Sequence, residues 1–260
     1  MELQRWTEQA VDAAQRAGRV IRAAWLRGDT EVRYKGRFNP VTEVDLESQR
    51  LIRETLLTYN PGHDFLGEEG SPRTSGSEFV WIVDPLDGTK NFAHGYPHFC
   101  VSIGLQFQDR MVVGVVHDPM RGETFTSWRG GGAFVDGRPI QVSATETLER
   151  ALLVTGFAQA TGADYEVFRR FDEASEGVRR DGSAALNLCY LACGRLDGYY
   201  QRNLWPWDIA AGTLLVEEAG GMVTDYAGGR MHLEGRQLLA SNVHLHAEMV
   251  RCLGMARQEA

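Results

Sequence analysis

A mixed α/β fold with two sheets is predicted from three observations along the 260 residues. The first segment repeats apolar residues at helical spacing, which predicts an amphipathic helix with one face on a sheet. Residues 99–107 alternate between apolar and small or polar types, as a strand does, and residues 111–116 return after a turn. Beyond residue 152, strand and helix patterns alternate, which indicates a second sheet covered by helices.

The elements of the first half follow in order. A helix is predicted from Trp6 to Ala24, and a second helical pattern opens at 39–45 and continues through Leu56. Short apolar runs at 65–66 and 79–83 predict strands.

The strands that follow predict a largely antiparallel sheet. Residues 108–110 turn the chain between the strands at 99–107 and 111–116. Two further strands are predicted at 123–128 and 132–135, the latter closed by an Asp-Gly pair.

The second half supplies the alternating pattern. Its predicted elements are a strand at 152–154, helices at 165–174 and 184–192, a strand at 199–200 and a helix at 209–219. No Pro/Gly/Ser-rich linker divides the chain, so we expect a single domain over 1–260 with halves at about 1–145 and 146–260.

Composition excludes several classes of protein. A formal net charge of −8 disfavours a nucleic-acid-binding surface, because phosphate backbones select Lys and Arg. No apolar run approaches membrane-spanning length, so no membrane partner is expected. The four cysteines lack paired zinc-type spacing, and Cys189 and Cys193 fit small residues of an apolar helix. A reducing cytoplasm is the expected location.

Residues 84–89, with the sequence Asp-Pro-Leu-Asp-Gly-Thr, are the most informative motif. They follow an apolar strand and end in a Gly-Thr pair able to open a helix. Asp84 and Asp87 suit a hard cation such as Mg²⁺, while the N–H groups after Asp87 suit a phosphate. The other interpretation is an ordinary Asp-Gly turn with Asp84 as a helix cap.

Further carboxylates lie at other element boundaries. Glu68 and Glu69 follow the short strand at 65–66, Asp45 lies at the start of the second helical pattern, and Asp208 opens the helix at 209–219. Acidic residues past strand ends favour a common site, because open sheets place their sites there.

These motifs, in this order, resemble those of the inositol monophosphatase family of Mg²⁺-dependent, Li⁺-sensitive sugar-phosphate phosphatases. The resemblance extends from the N-terminal helix to residues 217–221 and so covers nearly the whole chain. It implies a layered αβαβα sandwich of the inositol monophosphatase and fructose-1,6-bisphosphatase type, with the site between two sheet-bearing halves. It also implies a homodimer.

The resemblance implies two or three Mg²⁺ ions per site. The expected ligands are the carboxylates of Glu68, Asp84, Asp87 and Asp208 and the Leu86 carbonyl. Metal ions would offset the charge of a phosphate monoester, position water and stabilise the leaving alkoxide.

The expected catalytic pair is Thr89 and Asp45. The Thr89 hydroxyl would position the attacking water, while the carboxylate behind it accepts a proton. The N–H groups of Gly88 and Thr89 would bind phosphate oxygens. A helix cap is the alternative role for Thr89.

Two further residues are candidates. Lys35 precedes a Gly in a segment that would close over the metals, and the alternative is a surface lysine. Glu69 is either a carboxylate behind the metal ligands or a solvated loop acid.

Substrate contacts are expected at the helix start formed by Gly182, Ser183 and Ala184, together with Asp87 and Asp208. The same segment is also a capped core helix, and the two roles are compatible. Gln201 departs from the family, which usually has glutamate there to accept hydrogen bonds from ring hydroxyls. A neutral amide weakens such bonds and adds donors, so the preferred alcohol is left open.

The sequence therefore predicts a Mg²⁺-dependent phosphomonoesterase acting on inositol 1-phosphate or a similar polyol phosphate. Histidinol phosphate is the first alternative substrate, because it has no ring hydroxyls that need a glutamate. Fructose 1,6-bisphosphate and 3′-phosphoadenosine 5′-phosphate are the others. A regulatory binding module that has kept the fold is the non-enzyme alternative, which the presence of every expected metal carboxylate disfavours.

Overall fold

The computed structural model describes residues 2–28, 30–36, 39–157 and 161–255, with the backbone alone at 34–36, 39–40 and 255. The helices are α1 (Glu2–Arg27), α2 (Glu43–Tyr59), α3 (Thr89–Ala93), α4 (Gly162–Ala174), α5 (Ala184–Ala192), α6 (Pro206–Glu218) and α7 (His246–Met255). Short 3₁₀ helices lie at Leu148–Arg150 and Leu233–Gly235.

The strands form three sheets. They are β1 (Val32–Gly36), β2 (Asn39–Thr42), β3 (Asp64–Gly67), β4 (Phe79–Asp87), β5 (Cys100–Phe107), β6 (Arg110–Asp118), β7 (Glu123–Trp128), β8 (Gly132–Val135), β9 (Arg138–Ile140), β10 (Leu152–Gly156), β11 (Gly177–Arg179), β12 (Gly198–Arg202), β13 (Met222–Thr224) and β14 (Gln237–Ser241). The two strands β1 and β2 pair with each other as a small antiparallel sheet.

The larger sheet has seven strands in the order β3-β4-β5-β6-β7-β8-β9. Only β3 and β4 are parallel, and every later neighbour is antiparallel. This arrangement confirms the prediction of a largely antiparallel sheet in the first half. The alternating residues of β5 and the run in β6 are almost entirely buried, because both faces of the sheet are covered by helices.

The second sheet has five strands in the order β11-β10-β12-β14-β13. β10 is parallel to both of its neighbours, whereas β14 is antiparallel to β12 and β13. The sequence patterns did not predict β9, β11, β13, β14 or the final helix α7, most of which are short.

Helices and sheets alternate in five layers. α1 and α2 pack on one face of the larger sheet, and α5 and α6 fill the space between the two sheets. α4 and α7 cover the far face of the second sheet, where Phe171 and Met249 join the buried cluster. This is the αβαβα sandwich that the resemblance implied.

The second helix begins later than its pattern suggested. Residues 39–42 form β2, and α2 starts at Glu43 with Thr42 as its N-cap. The backbone N–H and the hydroxyl of Thr42 both donate to the Asp45 carboxylate. These bonds belong to a capping box, which fixes the start of the helix. Among the described helices, none combines the length and the apolar character needed to cross a bilayer.

Candidate active site

The motif at 84–89 forms an irregular end of β4. Pairing with β5 is regular up to Asp84 opposite Ser102 and then skips, so that Asp87 lies opposite Cys100. The Leu86 N–H donates to Asp84 Oδ1 at 3.0 Å, and the hydroxyl of Ser48 donates to the Pro85 carbonyl at 2.7 Å. A bulge of this kind redirects side chains at a strand end, which is how two carboxylates three residues apart come to share one place.

Asp208 joins these two carboxylates from the other half of the chain. One oxygen from each of Asp84, Asp87 and Asp208 lies within 4.8 Å of the others. Asp208 occupies the first turn of α6, where its Oδ2 accepts from the Trp205 N–H at 2.7 Å. The chain therefore brings together three of the predicted metal ligands.

Burial and mutual repulsion disfavour the ionised carboxylates of this cluster, and a bound cation would offset both. Burial raises the pKa of Asp84 well above its ordinary value, and the charges of Glu68, Asp87 and Asp208 raise it further. Burial and Asp87 likewise raise the pKa of Asp208, which Glu68 raises further and Arg236 lowers. Three acidic oxygens held together, with Asp84 and Asp87 buried and Asp208 half-buried, are a donor set that suits Mg²⁺.

Glu68 lies next to this cluster. It follows β3, and its N–H donates to the Val83 carbonyl at 3.2 Å, which ties it to the neighbouring strand β4. Its charge acts on both Asp84 and Asp208. The parallel pairing of β3 and β4 explains this proximity, because parallel strands bring their carboxyl ends to the same edge.

Asp87 is held from one side by the start of α5. Its Oδ2 accepts from the Ser183 hydroxyl and from the Ala185 N–H, each at 2.7 Å. Burial raises the pKa of Asp87, and these hydrogen bonds oppose the shift. With Oδ2 committed to α5, Oδ1 is the oxygen that would face a metal.

The predicted segment Gly182, Ser183 and Ala184 thus lies beside the acidic cluster. Ser183 is fully buried as the N-cap of α5 and accepts from the Leu186 N–H at 3.4 Å. The Ser183 hydroxyl therefore caps α5 and orients Asp87.

Thr89 and Asp45 are in direct contact. The Thr89 hydroxyl lies 3.0 Å from Asp45 Oδ1 and 3.0 Å from the Leu86 carbonyl oxygen. Asp45 Oδ2 accepts from both the N–H and the hydroxyl of Thr42, at 2.8 and 2.6 Å. Burial raises the pKa of Asp45, and the hydrogen bonds from Thr42 and Thr89 oppose it.

Gly88 precedes α3 with a φ of +99°, in the left-handed region. A Cβ at this position would lie 2.9 Å from the His98 carbonyl oxygen, so both the backbone and the space require glycine. The turn places the N–H groups at the start of α3 next to the end of β4.

Gln201 lies on β12 in the second sheet. The Tyr199 hydroxyl donates to Gln201 Oε1 at 2.8 Å. On the neighbouring strand, a Cβ at Gly156 would come within 2.0 Å of that same oxygen. The amide is therefore packed against a glycine that leaves room for it.

The two further candidates lie in different surroundings. Glu69 is 7% exposed, and the Gln49 side chain binds both its backbone N–H and its backbone carbonyl. Its charge adds a small contribution to the raised pKa of Asp45, for which burial is the main cause. This burial does not fit a solvated loop acid. Lys35 is in β1, and its side chain lies outside the described residues.

Several supporting residues were not singled out from the sequence. Thr42 and Ser48 hold Asp45 and the β4 bulge, and the Thr-x-x-Asp spacing at 42–45 was the available signal for the first of these. Tyr199 holds Gln201 through its hydroxyl, and burial raises its pKa, with a further contribution from the charges of Asp208 and Asp87. No sequence pattern marks such a tyrosine.

Comparison with known proteins identifies the family of the chain. The sequence model of the inositol monophosphatase family matches residues 2–257. The chain belongs to the inositol monophosphatase family. It is therefore a phosphoric monoester hydrolase by family.

Individual relatives cover nearly the same length. An inositol-1-monophosphatase of Synechocystis is 43% identical over 99% of this chain and 91% of its own. The Nus factor SuhB of Pseudomonas aeruginosa is 42% identical over 90% of each chain. The structure of an inositol monophosphatase from Anabaena superposes with a TM-score of 0.90 at 39% identity, over 98% of this chain and 97% of the other.

Proposed function

We propose that this inositol monophosphatase family member hydrolyses inositol 1-phosphate or a similar polyol phosphate to the alcohol and inorganic phosphate, with Mg²⁺ as its cofactor. The observation that supports this most directly is the convergence of Asp84, Asp87 and Asp208 within 4.8 Å, beside the contact between Thr89 and Asp45. The name of the Synechocystis relative, inositol-1-monophosphatase, supports the substrate.

The carboxylates of Glu68, Asp84, Asp87 and Asp208 and the Leu86 carbonyl would hold the metal, with two or three ions per site. Bound Mg²⁺ would offset the charge of the phosphate and increase the acidity of water. Leu86 is fully buried, and its carbonyl oxygen lies 3.0 Å from the Thr89 hydroxyl, whose one hydrogen can go to this oxygen or to Asp45. In either case the carbonyl keeps at least one lone pair for a cation.

The residues of the chain would then orient the reaction. Thr89 holds the attacking water through its hydroxyl, and Asp45 accepts a proton through that hydroxyl. The N–H groups of Gly88 and Thr89 bind phosphate oxygens as the helix start allows. Residues 1–145 would supply most of the metal and phosphate ligands, and residues 146–260 would supply Asp208 and the contacts to the alcohol.

The alcohol would lie among Gly182, Ser183, Ala184 and Gln201, between the α5 start and β12. Lys35 and Glu69 are proposed as accessory residues at the metal site. Inhibition by Li⁺, a homodimeric state and a cytoplasmic location are further proposals from the family. The cysteines at 100, 189, 193 and 252 are all free thiols in the described residues, which supports a reducing compartment.

Phosphate release tests the proposed function. The wild-type protein is assayed with Mg²⁺ or with EDTA on inositol 1-phosphate, histidinol phosphate, fructose 1,6-bisphosphate and 3′-phosphoadenosine 5′-phosphate. We expect Mg²⁺-dependent hydrolysis with the highest kcat/KM on inositol 1-phosphate. A higher kcat/KM on another ester would contradict the proposed substrate, and metal-dependent hydrolysis of none would contradict the enzyme itself.

A further inference from the structure

An exposed tryptophan adjoins the acidic cluster. Trp205 immediately precedes α6, and 47% of its surface is exposed. Its N–H donates to Asp208 Oδ2, so its backbone is within one hydrogen bond of a proposed metal ligand. The indole is one of the few large apolar side chains that are exposed, and it belongs to the residue that binds Asp208 through its backbone.

Trp205 is held by a second tryptophan. Its ring stacks on that of Trp207 with centroids 5.3 Å apart and planes 8° from parallel. Trp207 is half-buried and packs against the core residues Ile82, Ala210 and Leu214. The exposed ring is therefore fixed to the core through its neighbour, as a rigid platform.

Arg236 lies on this platform. Its guanidinium carbon is 4.0 Å from the centroid of the Trp205 ring, a cation–π contact. Arg236 follows a short 3₁₀ helix, and its carbonyl accepts from the Leu204 N–H at 3.3 Å, which joins this loop to the one that precedes α6. Both the backbone and the side chain of Arg236 are thus held in place.

The guanidinium acts on Asp208 through its charge, which lowers the pKa of that carboxyl, but it is not paired with an acid by direct contact. Across the described ranges, no ion pair or side-chain hydrogen bond joins Arg236 to another residue, whereas Arg50, Arg169 and Arg195 each bind a carboxylate. A fixed guanidinium with its donors open is suited to planar anions, to which it donates two parallel hydrogen bonds.

Its position is on the side of the site that would hold the alcohol. Arg236 immediately precedes β14, whose Leu238 pairs with Gln201 of β12. The proposed phosphate-binding N–H groups belong instead to the β4–α3 turn of the larger sheet. Because Gln201 is neutral, it adds no repulsion toward a negatively charged alcohol.

We propose that Arg236, positioned by Trp205, binds a second anionic group on the leaving alcohol of the substrate, either a carboxylate or a phosphate. This inference rests on the proposed function and extends its substrate class. Uncharged polyol phosphates remain substrates, and phosphate monoesters of anionic alcohols gain an additional contact.

Matched substrates test this inference. Glycerol 2-phosphate and 2-phosphoglycerate differ only by a hydroxymethyl group against a carboxylate, and glucose 1-phosphate and glucose 1,6-bisphosphate differ by a second phosphate. The measured quantity is the ratio of kcat/KM for the charged member to that for the neutral member, with product analysis to show which ester is cleaved. We expect Arg236→Gln to lower this ratio about tenfold in one pair or both, since charge-assisted hydrogen bonds are stronger than neutral ones. The pair in which it falls identifies the anion.

Two companion variants separate positioning from folding. Trp205→Leu removes the platform but keeps the N–H to Asp208, so it should lower the same ratio, and Trp205→Phe should restore it. The matched control is Arg138→Gln, which also removes an exposed arginine. Arg138 is on β9, the edge strand of the larger sheet at the other end from β3 and β4, so this variant should leave the ratio unchanged.

An equal fall in kcat/KM for both members of each pair would overturn the inference, because Arg236 would then act on the common phosphate or on the fold. An unchanged ratio would overturn it as well. Wild-type inactivity toward every phosphate ester, by contrast, would reject the proposed function first and this inference with it.

Discussion

Thr89 and Asp45 are separated by 44 residues, yet the hydroxyl of one lies 3.0 Å from the carboxylate of the other. The contact joins the start of α3 to the first turn of α2. Thr42 binds the second oxygen of the same carboxylate, so Asp45 presents Oδ1 to Thr89 in a fixed orientation. A hydroxyl backed by a buried carboxylate is a suitable proton relay.

Thr89→Ala removes that hydroxyl. We expect kcat to fall by roughly 10²- to 10⁴-fold, the usual contribution of positioned proton transfer. The Mg²⁺ concentration at half-maximal activity should change little, because the acidic cluster is intact. Thr89→Ser keeps a hydroxyl and serves as the control, with most of the activity retained. Equal activity of the Ala and Ser variants would exclude the relay.

Asp84→Asn replaces a buried carboxylate at nearly constant volume. We expect loss of Mg²⁺-dependent activity, together with a melting temperature a few degrees higher for the metal-free variant than for the metal-free wild type. The second effect follows because burial and three neighbouring acids disfavour the ionised form of Asp84. Thermal melts in EDTA measure it, and a lower melting temperature would show that the carboxylate stabilises the metal-free fold.

Metal binding should release protons. The pKa values of Asp84 and Asp208 are raised by burial and by neighbouring acids, so the metal-free cluster retains protons at a pH where exposed carboxyl groups are ionised. Mg²⁺ requires the ionised form, so affinity should rise with pH. The metal-free protein should lose stability over the same rise, because the folded state binds more protons than the unfolded one.

Calorimetric titrations with Mg²⁺ in two buffers of different ionisation enthalpy measure this release. The apparent binding enthalpy should differ between the buffers at mildly acidic pH, and the difference should shrink as pH increases. Buffer-independent enthalpy across the range would mean that the cluster is already fully ionised.

Ser183→Ala removes a hydroxyl donor from Asp87 Oδ2 and leaves that oxygen with the Ala185 N–H and the weaker Cys100 thiol. A lost hydrogen bond to a buried carboxylate costs roughly 1–3 kcal/mol, so unfolding should occur at a lower denaturant concentration. We also expect weaker Mg²⁺ binding, because Asp87 is less firmly oriented. Ser183→Thr keeps a hydroxyl and is the control for Mg²⁺ affinity; it does not serve for stability, because it adds a methyl group at a fully buried position. Wild-type stability and metal affinity in the Ala variant would show that the bond to Asp87 is dispensable.

Gln201→Glu tests whether Gln201 contacts the alcohol part of the substrate. A carboxylate there accepts stronger hydrogen bonds from ring hydroxyls, so kcat/KM for inositol 1-phosphate should rise relative to histidinol phosphate. Gly156→Ala is a complementary change, since its Cβ would displace the amide oxygen of Gln201. An unchanged substrate ratio in both variants would place Gln201 outside the alcohol-binding region.

The sequence predicted the elements that have strong periodic patterns. The helical spacing of apolar residues in α1 reflects the burial of one helix face, and the residue pattern of β5 reflects a strand that is buried on both faces. Both elements are present. The layered arrangement of the two sheets came from the family resemblance, because alternation alone does not set strand order. Strands as short as β11 and β13 depend on their neighbours for stability, so their three residues give no independent signal.

Side-chain placement was only partly predictable. Asp84 and Asp208 are at element starts or ends, where functional carboxylates are expected, and they do lie together. The hydrogen bond from Ser183 to Asp87 and the stacking of Trp207 on Trp205 both depend on how α5 and α6 pack between the sheets. Local sequence does not specify which long-range partner a buried hydroxyl or an exposed ring will meet.

The most direct test of the account is the rate of phosphate release from inositol 1-phosphate by wild-type protein and Asp84→Asn, each titrated with Mg²⁺ from an EDTA-treated state. We expect wild-type activity to rise from background to saturation with Mg²⁺ while the variant stays at background and remains folded. Hydrolysis without added metal, or near-normal Mg²⁺-dependent turnover by the variant, would contradict catalysis at the Asp84, Asp87 and Asp208 cluster.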